Sequence, residues 1–73
     1  MRPYKDINGD SGVSYFDYGE SWIEVKFTRT DRVYRYSHEI AGKEHVDEMK
    51  KLADAGDGLN SYINRNVKHL YDR

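Results

Sequence analysis

Along this chain the spacing of apolar residues changes from every second position to every third or fourth. From Trp22 to Thr28 apolar and polar residues alternate, with Ile23, Val25 and Phe27 on one side of an extended chain and Trp22, Glu24, Lys26 and Thr28 on the other. That alternation describes a strand with one core face and one wet face. Val13 to Tyr18, rich in aromatic residues and closed by Gly19-Glu20-Ser21, reads as the strand before it. Val33 to Ser37, with Tyr34 and Tyr36 on a common face, reads as the strand after it. Short connections make the three an antiparallel meander.

From Lys43 the period becomes helical. Val46, Met49, Leu52 and Ala53 mark one face of a helix ending at Ala55, with Gly56 as the residue beyond its end. Leu59, Tyr62, Ile63, Asn66, Val67, Leu70 and Tyr71 then fall at i, i+3, i+4, i+7, i+8, i+11 and i+12, which predicts a second helix with Asp57 as its N-cap. The fold class is α+β: a three-stranded antiparallel meander followed by two amphipathic helices packed on one sheet face, the other face left in water. The expected core comprises Ile23, Val25, Phe27, Tyr34 and Tyr36 of the sheet with Val46, Met49, Tyr62, Ile63, Val67 and Leu70 of the helices. Residues 1–12 hold Pro3, Asn8, Gly9 and Gly12 without a periodic pattern and read as a flexible N-terminal arm, leaving 13–73 as a single domain.

A chain of 73 residues hides only about 60% of the surface its unfolded form exposes, so it builds one modest core. It has no cysteine, which removes disulfides and thiolate metal sites and suits a reducing compartment. The opening residues carry no apolar run of the signal-peptide kind and no stretch is long enough to span a bilayer, so the expectation is a cytoplasmic domain with no membrane partner. The net charge of −1 lacks the basic excess of a nucleic-acid module taken whole. Charge is polarised locally, though: Lys26, Arg29, Arg32 and Arg35 stand against Asp31 alone, whereas Asp6, Asp10, Asp17, Glu20 and Glu24 outweigh Arg2 and Lys5 in residues 1–24.

The residues Tyr34-Arg35-Tyr36, the run Tyr62-Ile63-Asn64-Arg65-Asn66-Val67-Lys68 and Tyr71 resemble the KTSC domain, a small module found at the C-terminus of some lysyl-tRNA synthetases and as stand-alone proteins. Phe16-Asp17 is similar to that family's aromatic-Asp pair, and Ile23, Val25 and Phe27 to its apolar second strand, so the likeness spans roughly residues 13–71. It departs at Thr30-Asp31, at His38-Glu39-Ile40-Ala41 and at Asp54-Ala55-Gly56-Asp57-Gly58. The resemblance implies the same fold and RNA binding, with no catalytic activity attached.

Candidate chemistry is sparse. Asp6-Ile7-Asn8-Gly9-Asp10-Ser11-Gly12 followed by Asp17 has the oxygen spacing of a calcium loop, but its glycine is one place late and no helix precedes it, so a polar arm is the better reading. His38, His45 and His69 lack the i, i+4 pairing that puts two imidazoles on one helical face, and Ser37-His38-Glu39 holds triad residue types at neighbouring positions that diverge. No cofactor, metal site or enzymatic activity is expected. Gly56-Asp57-Gly58 could cradle a phosphate, but the Asp57 carboxylate would occupy the anion's place.

The better lead is the sheet's open face, where Trp22, Lys26 and Arg35 would stand together as an aromatic ring beside cations, a combination that stacks single-stranded bases and neutralises phosphates. Arg65 and Lys68 form a second cationic pair off the second helix's apolar stripe. The expected function is a non-catalytic module binding RNA or single-stranded nucleic acid. The alternative is a small self-associating protein that sequesters a partner protein or a phosphorylated small molecule such as a nucleotide.

Overall fold

The computed structural model describes every residue except Asn8, Asp10, Ser11 and Arg73, so three positions of the calcium-loop-like segment lie outside the described residues. Four strands form one antiparallel sheet in chain order: β1 (Arg2–Pro3), β2 (Val13–Tyr18), β3 (Trp22–Phe27) and β4 (Val33–Ser37). One face of the sheet is covered by α1 (Lys43–Ala55) and α2 (Leu59–Tyr62), the latter running on into a π-helical turn over Ile63–Val67. The buried cluster joins Ile23, Val25 and Tyr36 of the central strands to Val46 and Met49 of α1 and to Leu59, Ile63 and Val67 of the second helical segment. Alternation in β3 thus places its apolar residues where the sequence pattern predicts, since successive side chains of a strand point to opposite faces.

β2 departs from strict alternation. Val13 stands opposite Phe27 and Tyr15 opposite Lys26, so Ser14 is an extra residue in a β-bulge. The bulge lets Val13 and Phe16, three positions apart, both enter the core. The extra serine is held by a 2.8 Å hydrogen bond between its hydroxyl and that of Thr28.

The expected three strands become four because the opening residues join the sheet. Arg2 pairs opposite Phe16 and Pro3 opposite Tyr15. Tyr4 is buried, sets its ring edge-on to Phe16 at 6.4 Å and accepts a 3.3 Å hydrogen bond on its hydroxyl from the Leu59 N–H. Two paired residues are too few to show a period, so the sequence pattern carried no sign of this strand. In its described part, the segment expected to be an arm supplies a core ring and an edge strand.

Gly56 is the joint between that segment and α1. It adopts φ 75°, a left-handed backbone conformation that glycine takes without steric cost, and donates its N–H to the carbonyls of Leu52 and Ala53. Its own carbonyl accepts the Ile7 N–H at 2.9 Å, and a Cβ at this position would lie 2.5 Å from the Lys5 Cβ.

The second helix is shorter than its periodicity predicts. Leu59, Ile63 and Val67 are buried at intervals of four, a spacing that the wider π turn keeps on one face. The chain leaves the helix after Val67, which puts Leu70 at 40% exposure instead of in the core and turns Tyr71 back over β4. Phe27, Tyr34 and Tyr62 are half-buried at the margin of the cluster. Nor does Asp57 cap α2: Gly58, at φ 82°, precedes the helix and no side chain caps it. Among the described residues no helix is long and apolar enough to cross a membrane.

Two substitutions test this packing. Val67→Asp should abolish the cooperative thermal transition followed by circular dichroism, because an unpaired buried carboxylate costs several kcal/mol against a total stability of about 5 kcal/mol. Gly56→Ala should lower the urea midpoint by the equivalent of about 1–2 kcal/mol, since it combines backbone strain with a clash at Lys5.

Candidate ligand-binding cleft

The structure brings Trp22, Lys26 and Arg35 to the outer face of the sheet, as strand alternation requires. It also shows how that face is occupied. Arg35 stands directly opposite Glu24 and donates from Nε and Nη2 to the same carboxylate oxygen, at 3.1 and 2.9 Å. Its guanidinium lies 4.6 Å from the centre of the Trp22 ring. Trp22 in turn leans on the β2–β3 turn, where a Cβ on Gly19 would come within 2.5 Å of the indole nitrogen. One face of the indole is therefore covered by Arg35, whose charge is already paired. Lys26 sits between Tyr15 and Val33 of the flanking strands with no ion pair or hydrogen bond of its own among the described residues. Asp17 and Glu24 are neighbours across β2 and β3, so the face carries both signs of charge.

On the helical side of the sheet lies a cleft of about 390 Å³, between the β3–β4 end and the second helical segment. One wall is aromatic: Phe27, Tyr34, Tyr36 and Tyr71. Their rings meet edge to face, Phe27 with Tyr34 at 5.6 Å, Tyr34 with Tyr71 at 4.7 Å and Tyr36 with Tyr71 at 6.4 Å. The opposite wall is built by Asn60, Asn64 and Lys68 above the buried Ile63. His69 and Thr30 complete the rim, and the Arg32 guanidinium covers the outside of the aromatic wall, 4.9 Å from Tyr34 and 5.6 Å from Tyr71. Among the described residues no carboxylate lines the cleft and its formally charged lining residue is Lys68, in a chain of net charge −1.

The backbone explains this assembly. Tyr34 and Tyr36 share the core side of β4; Tyr36 is buried, whereas Tyr34 stays half-covered where the chain leaves the helix at Val67. Tyr71 returns to them because the residue after it is fastened to β4: the Asp72 N–H donates to the Arg35 carbonyl at 2.7 Å, and the Ser37 hydroxyl donates to the Asp72 carboxylate at 2.8 Å.

Comparison of the chain with known protein families, characterised proteins and solved structures finds no match. Of the five residues singled out from the sequence, Trp22, Lys26 and Arg35 share the outer face, Lys68 lines the cleft, and Arg65 is exposed on the helical segment outside the cleft lining. The cleft itself escaped sequence reasoning, because its tyrosines fit the core pattern equally well. A usable signal was present in Asn60, Asn64 and Lys68, which fall at i, i+4 and i+8 beside the apolar stripe of Leu59, Ile63 and Val67.

The histidines are dispersed. His38 Nε2 stands 3.5 Å from Asp47, His45 Nδ1 lies 2.8 Å from the Tyr62 hydroxyl, and His69 is at the cleft. A 2.6 Å hydrogen bond from Lys43 holds the Asp47 carboxyl below its ordinary pKa. Among the described residues no three metal-binding groups converge. Ser37 bonds Asp72 and the Ile40 N–H, so it is not aligned with His38 as a nucleophile.

At the base of the aromatic wall, burial pushes the Tyr36 phenol up to about 12 from 10.0, with repulsion from Tyr34 and Tyr71 adding to the shift. Its hydroxyl is therefore a protonated group throughout the neutral range. A raised phenol pKa favours the folded chain only while the phenol keeps its proton, so this contribution is complete below pH about 10 and is lost as pH climbs towards about 12. Urea midpoints measured across that window should fall, and Tyr36→Phe should flatten the fall by at most about 2–3 kcal/mol.

Proposed function

We propose that this chain is a non-catalytic binding module whose ligand is a nucleotide unit held in the cleft, either as a free nucleotide or as one residue of a single strand. The observation that carries the reading is the pairing of an aromatic wall with a rim that bears Lys68 and, among the described residues, no carboxylate. A base has a flat π-face that gains about 1–3 kcal/mol by stacking on an aromatic ring. Its phosphate is drawn to Lys68 at the rim, with the Arg32 guanidinium behind the aromatic wall. A volume of about 390 Å³ lies at the small end of the range used for small-molecule sites. The resemblance to the KTSC domain belongs to the same reading, since Tyr34, Tyr36, Lys68 and Tyr71, four residues that carry it, also line the cleft.

The outer face supports nucleic-acid binding less well than its sequence suggests. Arg35 is neutralised by Glu24, and releasing it to bind phosphate would leave that carboxylate unpaired beside Asp17. Lys26 remains available, but a single cation contributes little phosphate affinity.

Isothermal titration with nucleoside 5′-monophosphates and with short single-stranded oligonucleotides, over a salt series, tests the reading. Binding that weakens with salt is expected, with mononucleotides and oligonucleotides distinguishing a free ligand from a strand. Lys68→Gln should weaken binding about three- to tenfold while the fold is kept, because the side chain is exposed. The pair Lys26→Gln with Arg35→Gln should leave the affinity unchanged. Failure of every nucleotide and oligonucleotide to bind at low salt would overturn the proposal, and loss of binding in the Lys26/Arg35 pair alone would move the site to the sheet face.

A further inference from the structure

Resting on the nucleotide reading above, we propose that Ser37 and Asp72, neither of which lines the cleft, are positioning residues that set its affinity by holding the Tyr71 ring in place. Phe27, Tyr34 and Tyr36 stand on β3 and β4, whose ladder bonds fix them whether or not the cleft is filled. Tyr71 belongs to no helix or strand. The helix before it ends at Val67, and the Leu70 N–H closes a turn there on the Val67 carbonyl at 2.9 Å. Leu70 itself is exposed and lies outside the core cluster. The order of this ring is therefore decided by what fastens the chain beyond it.

β4 grips the next residue at two points. The Asp72 N–H donates to the Arg35 carbonyl at 2.7 Å, and the Ser37 hydroxyl, two residues further along the strand, donates to the Asp72 carboxylate at 2.8 Å. One bond fixes where Asp72 sits, and the second fixes its direction, which aims the ring one residue back at Tyr34 and Tyr36. The second bond has an ionised acceptor and is of the stronger, charge-assisted kind. A wall ring ordered in advance spares the ligand the cost of ordering it on binding. By the reciprocity of linked equilibria, a base stacked on Tyr71 tightens the clasp by the same factor as the clasp tightens the base. The clasp lies on exposed surface, where substitutions change stability little, so its effect on affinity is separable from any effect on folding.

Two measurements test this. In the ligand-free chain, water exchange of the Asp72 amide followed by NMR should quicken about two- to tenfold in Ser37→Ala, with the melting temperature kept. Titration calorimetry with adenosine 5′-monophosphate and with a uridine hexanucleotide should give a Kd raised about two- to tenfold in Ser37→Ala and in Asp72→Ala. The double variant should bind no more weakly than either single one, since both substitutions remove the same bond. Ser37→Thr keeps the hydroxyl and should restore the affinity. Asp72→Asn keeps an acceptor oxygen without the charge and should bind more tightly than Asp72→Ala. An Asp72 amide that exchanges at the wild-type rate in Ser37→Ala would overturn the clasp. Wild-type affinity in both alanine variants, or losses that add in the double variant, would overturn its part in binding and leave the nucleotide reading standing. Failure of both probes to bind the wild-type chain would remove the nucleotide reading and the effect on affinity with it, and the exchange rates would still decide whether the clasp orders Asp72.

Discussion

The contact between the two central strands and the helical layer organises everything else in this molecule. Ile23 and Val25 are fully buried at the centre of the sheet, and Val46, Met49 and Val67 are fully buried with them in the same cluster. A domain this small has one such core and no second one to fall back on. The helical layer is short, and it closes only over the middle of the sheet. The aromatic residues at the β3–β4 end are left partly uncovered, and the cleft is the space between them and the helix. A binding site here is thus a by-product of an incomplete layer, made permanent by the return of Tyr71.

The sheet's outer face obeys a different constraint. The sequence separates acidic residues early in the chain from basic ones around β4, and the antiparallel register sets the two runs side by side. Glu24 faces Arg35 directly, and Trp22 provides a flat surface beneath the guanidinium. What looks along the chain like a free basic patch is, across the strands, a neutral pair lying on an indole. Exposed pairs of this kind contribute little to stability, but they determine which groups remain open to a partner.

Much of the fold was legible because β3 and α1 express their periods without interruption over six and thirteen residues. The failures came where the period was too short or was broken. β1 has two residues, and Tyr4, the buried ring just after it, has no neighbours in sequence to mark it as core. The second helix ends earlier than its spacing predicts because Leu70 and Tyr71 keep helical spacing after the backbone has left the helix. Their side chains are determined by the bond from Asp72 to β4, a tertiary contact with no local signature. The cleft was hidden for a related reason, since a tyrosine that lines a cavity and one that fills a core fit the same pattern.

The fastening of Asp72 to Arg35 and Ser37 has a further effect, on the solubility of the sheet itself. An open sheet has two edges, and each offers unpaired N–H and C=O groups to any other extended chain. Here the β4 edge has its Arg35 carbonyl taken by the chain's own backbone, and the opposite edge is a two-residue strand in which Pro3 has no N–H to give. Each edge thus has part of its row of groups withdrawn, which shortens the template that this small sheet offers to another extended chain.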